Sequence, residues 1–385
     1  MKHCSRPFLV VTVPLVFGIC LAPIAQADLQ HAEVPADVAA WLALMPELAT
    51  EPAPAWLRPG VRLTYHVMTA AREGDTTPAG ESVANYDVVS TDAGRVVAAL
   101  GISVISGGAL ASLRDAGFVV GAPGAGDVWL YPSVLPTAER RANASLTIAH
   151  VPATMAGKPT TAVRFEAADD VSRKVSVFDE STGILVYRIQ TLGNLDTAKQ
   201  NSVMMEFISV RQMEPAWVGG SVPAWAQVGT QLVYEGSTAV SVGYGSPVIP
   251  MPTAMLARIV HVEPTLAVVQ VEQYLNGMKS GEMHSVTSAA APLGGIFLPP
   301  EALATLKPGQ VLDRDPFTGV TVSVPQNPVY IDGQPLLALL FEGASFQRLF
   351  AYDRQSGTLV YLMELAREGI ATTRREFKLT GVRRG

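Results

Sequence analysis

The chain has 385 residues, 28 Lys and Arg against 34 Asp and Glu, and a formal net charge of −6. Its 48% hydrophobic and 16% charged residues exclude a chain disordered throughout, and the acidic balance excludes nucleic-acid binding by bulk electrostatics. The length suits two domains, and 33 Gly with 28 Pro point to many turns and short strands.

The first 27 residues read as an export signal. Lys2, His3 and Arg6 form a basic start, Phe8 to Leu21 an apolar stretch, and Ala25-Gln26-Ala27 a cleavage site. The run is short for a membrane span and holds Pro14 and Pro23. Cys20 does not make a lipoprotein signal, because Ile19 stands where a small residue belongs. Cleavage after Ala27 removes Cys4 and Cys20, so the mature chain is cysteine-free and its core alone must hold it. It also removes Lys2 and Arg6, which leaves 26 basic and 34 acidic residues, a net charge of −8. No later stretch offers a transmembrane span. A periplasmic or secreted protein is expected.

Residues 28–53 read as a helical segment, with a short helix over 36–48. Beyond it the chain repeats itself. Pro54-Ala55-Trp56 with Gly60, Leu63 and Tyr65 returns as Pro223-Ala224-Trp225 with Gly229, Leu232 and Tyr234. Gly126-Asp127-Val128-Trp129-Leu130 returns as Gly294-Gly295-Ile296-Phe297-Leu298. Gly157-Lys158-Pro159 with Phe165-Glu166 answers Gly333-Gln334-Pro335 with Phe341-Glu342. Asp179 to Gly183 with Tyr187 answers Asp353 to Gly357 with Tyr361, and Glu206-Phe207 answers Glu376-Phe377. Five landmarks in one order imply a duplication. The expected division is copy one over 54–212, a linker over 213–222 and copy two over 223–385.

Each copy reads as β. Val61, Leu63, Tyr65 and Val67 alternate with Arg62, Thr64 and His66, the period of a half-buried strand. Further strands are expected at 83–91, 94–102, 144–150, 160–167, 173–179, 184–191 and 200–211. The second copy offers 230–237, 255–262, 266–274, 319–324, 336–342, 346–352, 358–366 and 372–383. Short helices are expected at 108–115 and 300–306. Asp179…Gly183, Asp315…Gly319 and Asp353…Gly357 all read D-x-x-[ST]-G, a turn in which Asp bonds amides and Gly takes a positive φ.

Chemical motifs are scarce. Asp313-Arg314-Asp315 fails as a calcium loop, since Phe317 and Thr318 stand where an oxygen ligand and a glycine belong. Gly157-Lys158-Pro159 is a turn rather than a phosphate loop, and Gly121 to Gly126 lacks the dinucleotide spacing. His31, His66, His150, His261 and His284 are scattered. Met278, Met283 and His284, with Met251 and Met255, read as packing in a loop rather than a copper site. No metal or cofactor is expected. There is no G-x-S-x-G, no S-x-x-K and no mature cysteine for nucleophilic catalysis. Glu166 with Glu342, and Glu206 with Glu376, occupy matching places and read as structural acids.

The positive signal is apolar loops. Ser103–Ala125 and Ala239–Ala254 are rich in aliphatic residues, and such loops either seal a core or line a cavity over a sheet. The fold expected is two tandem, homologous, antiparallel curved sheets or half-barrels with short helices. In architecture this is similar to periplasmic half-barrel carriers of the lipoprotein-carrier (LolA-like) kind, or to lipocalin-like barrels. The resemblance rests on strand pattern and carries no residue roles with it. The function expected is an exported binding protein for a lipid or other apolar or amphipathic ligand. The alternatives are an envelope protein-interaction module and, behind it, a carboxylate hydrolase. Candidate ligand contacts are the repeated aromatics Trp129 and Phe297, Tyr65 and Tyr234, with Phe118 and Tyr244 from the apolar loops.

Overall fold

The computed structural model describes residues 36–384, apart from 74, 93, 107–108, 144–145, 169–171, 193–198, 215–219, 243–248, 289–294 and 369. The export signal therefore lies outside the described residues. A helix, α1 (Ala36–Leu44), and a 3-10 turn, Pro46–Ala49, precede the strands.

The protein is mainly β and consists of two large antiparallel sheets. The first holds β1 (Val61–Glu73), β2 (Asp75–Ser90), β3 (Val96–Ser106), β4 (Ala109–Gly121), β5 (Leu146–Met155), β6 (Lys158–Ala168), β7 (Ser172–Asp179), β8 (Leu185–Leu192) and β9 (Lys199–Gln212). The second holds β10 (Gln231–Val242), β11 (Ile249–Val262), β12 (Leu266–Leu275), β13 (Met278–Ser288), β14 (Val311–Arg314) and β15 (Thr321–Ser323). It continues with β16 (Val329–Ile331), β17 (Gln334–Glu342), β18 (Phe346–Tyr352), β19 (Leu359–Glu368) and β20 (Ala371–Arg383). The orders are β4-β3-β2-β1-β9-β8-β7-β6-β5 and β13-β12-β11-β10-β20-β19-β18-β17-β15-β14, with β16 beside β17. In each, the first strand of the half pairs with the last, so the meander grows outward from a central seam.

The two sheets share one frame. A 3-10 helix (Pro132–Arg141) follows Trp129 in the first, and α2 (Pro300–Leu303) follows Phe297 in the second. The inner face of the first sheet is covered by α1 and this 3-10 helix, through Trp41, Leu48, Trp129, Leu135 and Ala138. That of the second lies under Phe297, Ala302, Leu303 and Leu306. A third cluster joins the halves: Val89, Val97, Phe118 and Val120 meet Leu266, Val268 and Val286.

Several expectations need correction. The helix expected over 108–115 is overturned in its described part: Ala109 onward is β4, paired with β3. The segments 103–125 and 239–254 are largely strand, their apolar residues belonging to β3, β4, β10 and β11. Met278 and Met283 lie on β13 rather than in a loop, and Met278 is exposed instead of packed. Glu206 and Glu376 are not equivalent. His66 pairs with Glu206, while Glu235, its counterpart, pairs with Lys378, so the two motifs differ by two residues in register.

Candidate functional site

The repeated landmarks meet in space. In the first half Trp56 Nε1 donates to the Thr182 carbonyl at 2.8 Å; in the second Trp225 Nε1 donates to Ser356 at 2.7 Å. Both carbonyls belong to the D-x-x-[ST]-G turns. Asp179 Oδ1 accepts from the Thr182 amide, and Asp353 Oδ1 from the Ser356 amide. The turn glycines, Gly183 and Gly357, then receive the Leu130 and Leu298 amides, both at 2.9 Å. Trp129 and Phe297 sit beside that contact, bridged to Ile184 and Thr358.

All four repeated aromatics are fully buried. Trp129 Nε1 donates to the Pro123 carbonyl at 3.2 Å, and its indole lies on Gly121 and Gly126, where a Cβ would overlap it. This accounts for Gly121 and Gly126, while a Cβ on Gly124 would meet the Leu48 carbonyl oxygen. Phe297 is smaller and packs edge-on to Trp225, with ring centroids 6.3 Å apart. Tyr65 and Tyr234 lie on the inner faces. Phe118 is not with them; it lies between the halves. Tyr244 lies outside the described residues.

The inner face of the first sheet holds a polar group that sequence reading did not single out. Buried Arg188 on β8 donates through Nη1 to Asp127 Oδ1 at 2.7 Å and through Nη2 to the Asp127 carbonyl. Its Nε donates to Ser176 Oγ at 3.3 Å. Tyr86 on β2 donates to Asp127 Oδ2 at 2.8 Å. Tyr65 packs edge-on to Tyr86, with centroids 5.6 Å apart, and its buried hydroxyl has no hydrogen-bond partner among the described residues. Burial pushes the Tyr65 hydroxyl well above its ordinary range, against the opposing Arg188 charge and with a smaller push from Asp127. Burial alone would raise the Asp127 carboxyl too, but the Arg188 charge and the hydrogen bonds of Arg188 and Tyr86 hold it below the ordinary carboxylate value.

The second half has none of this. Strand register places Ala257 where the first half has Tyr86, Leu362 where it has Arg188, and Phe350 where it has Ser176. Gly295 stands in the place of Asp127, one residue before Val128 and Ile296, whose carbonyls accept from the matching Leu185 and Leu359 amides. Tyr234, the counterpart of Tyr65, donates to the Leu359 carbonyl at 3.0 Å. Four coordinated replacements at one spot were the signal available in the sequence, once the copies were aligned.

No family model and no curated protein matches the chain. Among solved structures it is similar to the crystal structure of MucB in complex with MucA(peri), at 13% identity over 90% of this chain and 99% of that one, with a TM-score of 0.24. It is also similar to a protein of unknown function from the DUF3598 family of Nostoc punctiforme, at 11% identity over 84% and 98%, with a TM-score of 0.16. No helix among the described residues is long and apolar enough to cross a membrane.

Proposed function

We propose that this is an exported binding protein that holds an apolar or amphipathic ligand against the inner face of one or both sheets. The copies are taken as 54–212 and 223–385. The observation that carries the reading is the difference between two floors built on one frame. Burying a charged pair costs desolvation that its mutual attraction barely offsets. The second half dispenses with the pair and keeps the order of the eight matching strands and the turn contacts, differing at the outer edge beyond β17. The Tyr86–Asp127–Arg188 group is thus not what the frame needs, and a bound molecule that must be told from others gives it a purpose. The unpartnered Tyr65 hydroxyl, buried beside it, is a free hydrogen-bonding group for such a molecule.

The test is mass spectrometry of solvent extracts from the purified mature protein, beside the Arg188→Leu/Asp127→Asn variant. A co-purified lipid or other apolar compound is expected in the wild type, depleted in the variant. Clean extracts from both, with no binding of an apolar fluorescent probe, would end the reading.

A second reading, docking of an envelope protein, is favoured by a different feature. Val240, Val242 and Ile370 are 38, 52 and 75% exposed at one end of β10 and at the β19–β20 turn. Substituting all three by Ser should leave ligand extracts unchanged and abolish co-purification of any partner that uses this tip.

A further inference from the structure

The inner floor of the second sheet carries its own polar row, one step farther from the core than the position of Arg188 in the first. Strand register fixes it. Phe350, Leu362, Phe377 and Gly236 are cross-strand neighbours and make an apolar row. Two residues along each strand, on the same face, stand Arg348, Glu364, Arg375 and Thr238. The corresponding positions of the first sheet are Lys174, Gln190, Val203 and Thr69, without an acid.

The row is unbalanced. Arg348 is ion-paired with Glu364 Oε1, and Arg375 Nη1 lies 3.6 Å from Glu364 Oε2, so two guanidiniums share one carboxylate. Arg348 lies over the Phe350 ring, its Cζ 5.2 Å from the centroid, which fixes the planar group in place. Its Nε is buried without a hydrogen-bond partner among the described residues. Thr238 and Thr253, 6 and 8% exposed, each have a buried hydroxyl that is also unpartnered among the described residues. Thr253 sits opposite Gly236, diagonal to Thr238 on the same face. Buried polar atoms are nearly always bonded, and each one left unpaired costs stability. The two hydroxyls, on the strands beside Arg375, and the surplus positive charge of the row describe a place awaiting an acceptor.

We infer that this row is an anion subsite that takes the carboxylate or phosphate group of a ligand whose apolar part lies along Phe350, Leu362 and Phe377. Arg375 donates to the anionic oxygens, the Thr238 and Thr253 hydroxyls on the two strands beside it complete the shell, and Arg348 adds positive charge from two strands away. This rests on the reading of the protein as a binder and names the chemistry of what is bound. Arg375 is the residue to test first, because at 37% side-chain exposure it can be changed without opening the core.

The experiment is calorimetric titration of the full mature chain with decanoate, decyl phosphate, decanol and inorganic phosphate. The two decyl anions are expected to bind at least tenfold more tightly than decanol, and their ratio says whether carboxylate or phosphate is preferred. Arg375→Gln should erase the gap to decanol. Thr238→Val should weaken both anions about threefold without lowering the melting temperature, since it removes a hydroxyl with no partner among the described residues. Equal binding of all three decyl compounds would overturn the anion subsite and leave the apolar-ligand reading standing. Binding of inorganic phosphate alone, lost in Arg375→Gln, would keep the subsite and overturn that reading. No binding of any probe would overturn both.

Discussion

At the scale of single residues, burial decides what the repeated aromatics do. Trp129 is enclosed by the glycine-rich turn before it, the core behind it and the strand-end bridge beside it. Trp129→Ala should therefore cost about 3–5 kcal/mol, the range for large core truncations, read as a shifted urea midpoint. A midpoint close to wild type with altered ligand binding would make it a pocket wall instead. Asp127 makes a prediction with a sign. Its carboxyl has a lower pKa folded than unfolded, so its contribution is complete above the ordinary carboxylate range. That contribution is lost as pH falls below about 4. Asp127→Asn leaves Arg188 buried without its anion and should cost about 3–5 kcal/mol at neutral pH. The gap to wild type should close in acid. Adding Arg188→Leu, the residue type found at the corresponding position of the second half, should recover most of the loss. Urea melts at pH 7 and pH 3 check all three, and a gap independent of pH would show that the ion pair contributes nothing.

At the scale of elements, the strand–turn frame was legible and its exceptions have physical causes. Alternation placed β1, and turn chemistry placed the three Asp-to-Gly hairpins, because both are local. Residues 109–115 misled because Ala, Leu and Arg favour helix in isolation, while pairing with β3 settles the matter in the fold. Pro250 and Pro252 made β11 look like loop. They fall where β11 pairs with β10 only, before its pairing with β12 begins at Thr253, and an edge tolerates proline. The missed β13 had a readable signal, the Asn276-Gly277 turn, whose positive φ angles of 50° and 77° suit a two-residue hairpin. The Arg348 row was not legible, because its members come from strands far apart in sequence and only register joins them, and the Arg188 group was readable only as the four replacements between the aligned copies. The frame itself predicts a contrast between glycines. Gly319 (φ 69°) has open space where a Cβ would stand, so Gly319→Ala should cost about 1–2 kcal/mol, the left-handed penalty alone. Gly183 (φ 73°) faces the Leu130 carbonyl oxygen at overlap distance, so Gly183→Ala should cost clearly more. Equal losses in thermal melts would mean that the Leu130 contact is not part of what holds the turn.

At the scale of the whole molecule, the joint between the halves is polar as well as apolar. The outer face of the first sheet buries Arg62, Thr64, Asn85 and Asp87. Arg62 forks onto Asp87, with Nε–Oδ1 at 2.6 Å and Nη2–Oδ2 at 3.0 Å. Its Nη1 lies 3.6 Å from Asp315, the turn residue between β14 and β15. Arg211 forks onto Asp313 at 2.6 and 2.9 Å and lies 3.7 Å from Asp315. Arg95 pairs with Glu263 at the other side of the joint. The Asp313–Asp315 segment, which resembles a calcium loop in sequence, is thus a hairpin aimed at two arginines of the first half. Its ion pairs supplement the small cluster around Phe118 and Val286. A joint built this way should couple the unfolding of the two halves. Arg62→Met strips the partner from a buried Asp87 and should cost about 3–5 kcal/mol, as breaking one side of a buried pair does. Arg211→Met, more exposed, should cost less by itself. Together they remove the two guanidiniums that face Asp313 and Asp315 among the described residues. Calorimetry of the wild type is expected to show one transition, and of the double variant two, the first half melting earlier because Asp87 belongs to it. A single transition at an unchanged temperature in the double variant would show that the apolar cluster alone couples the halves.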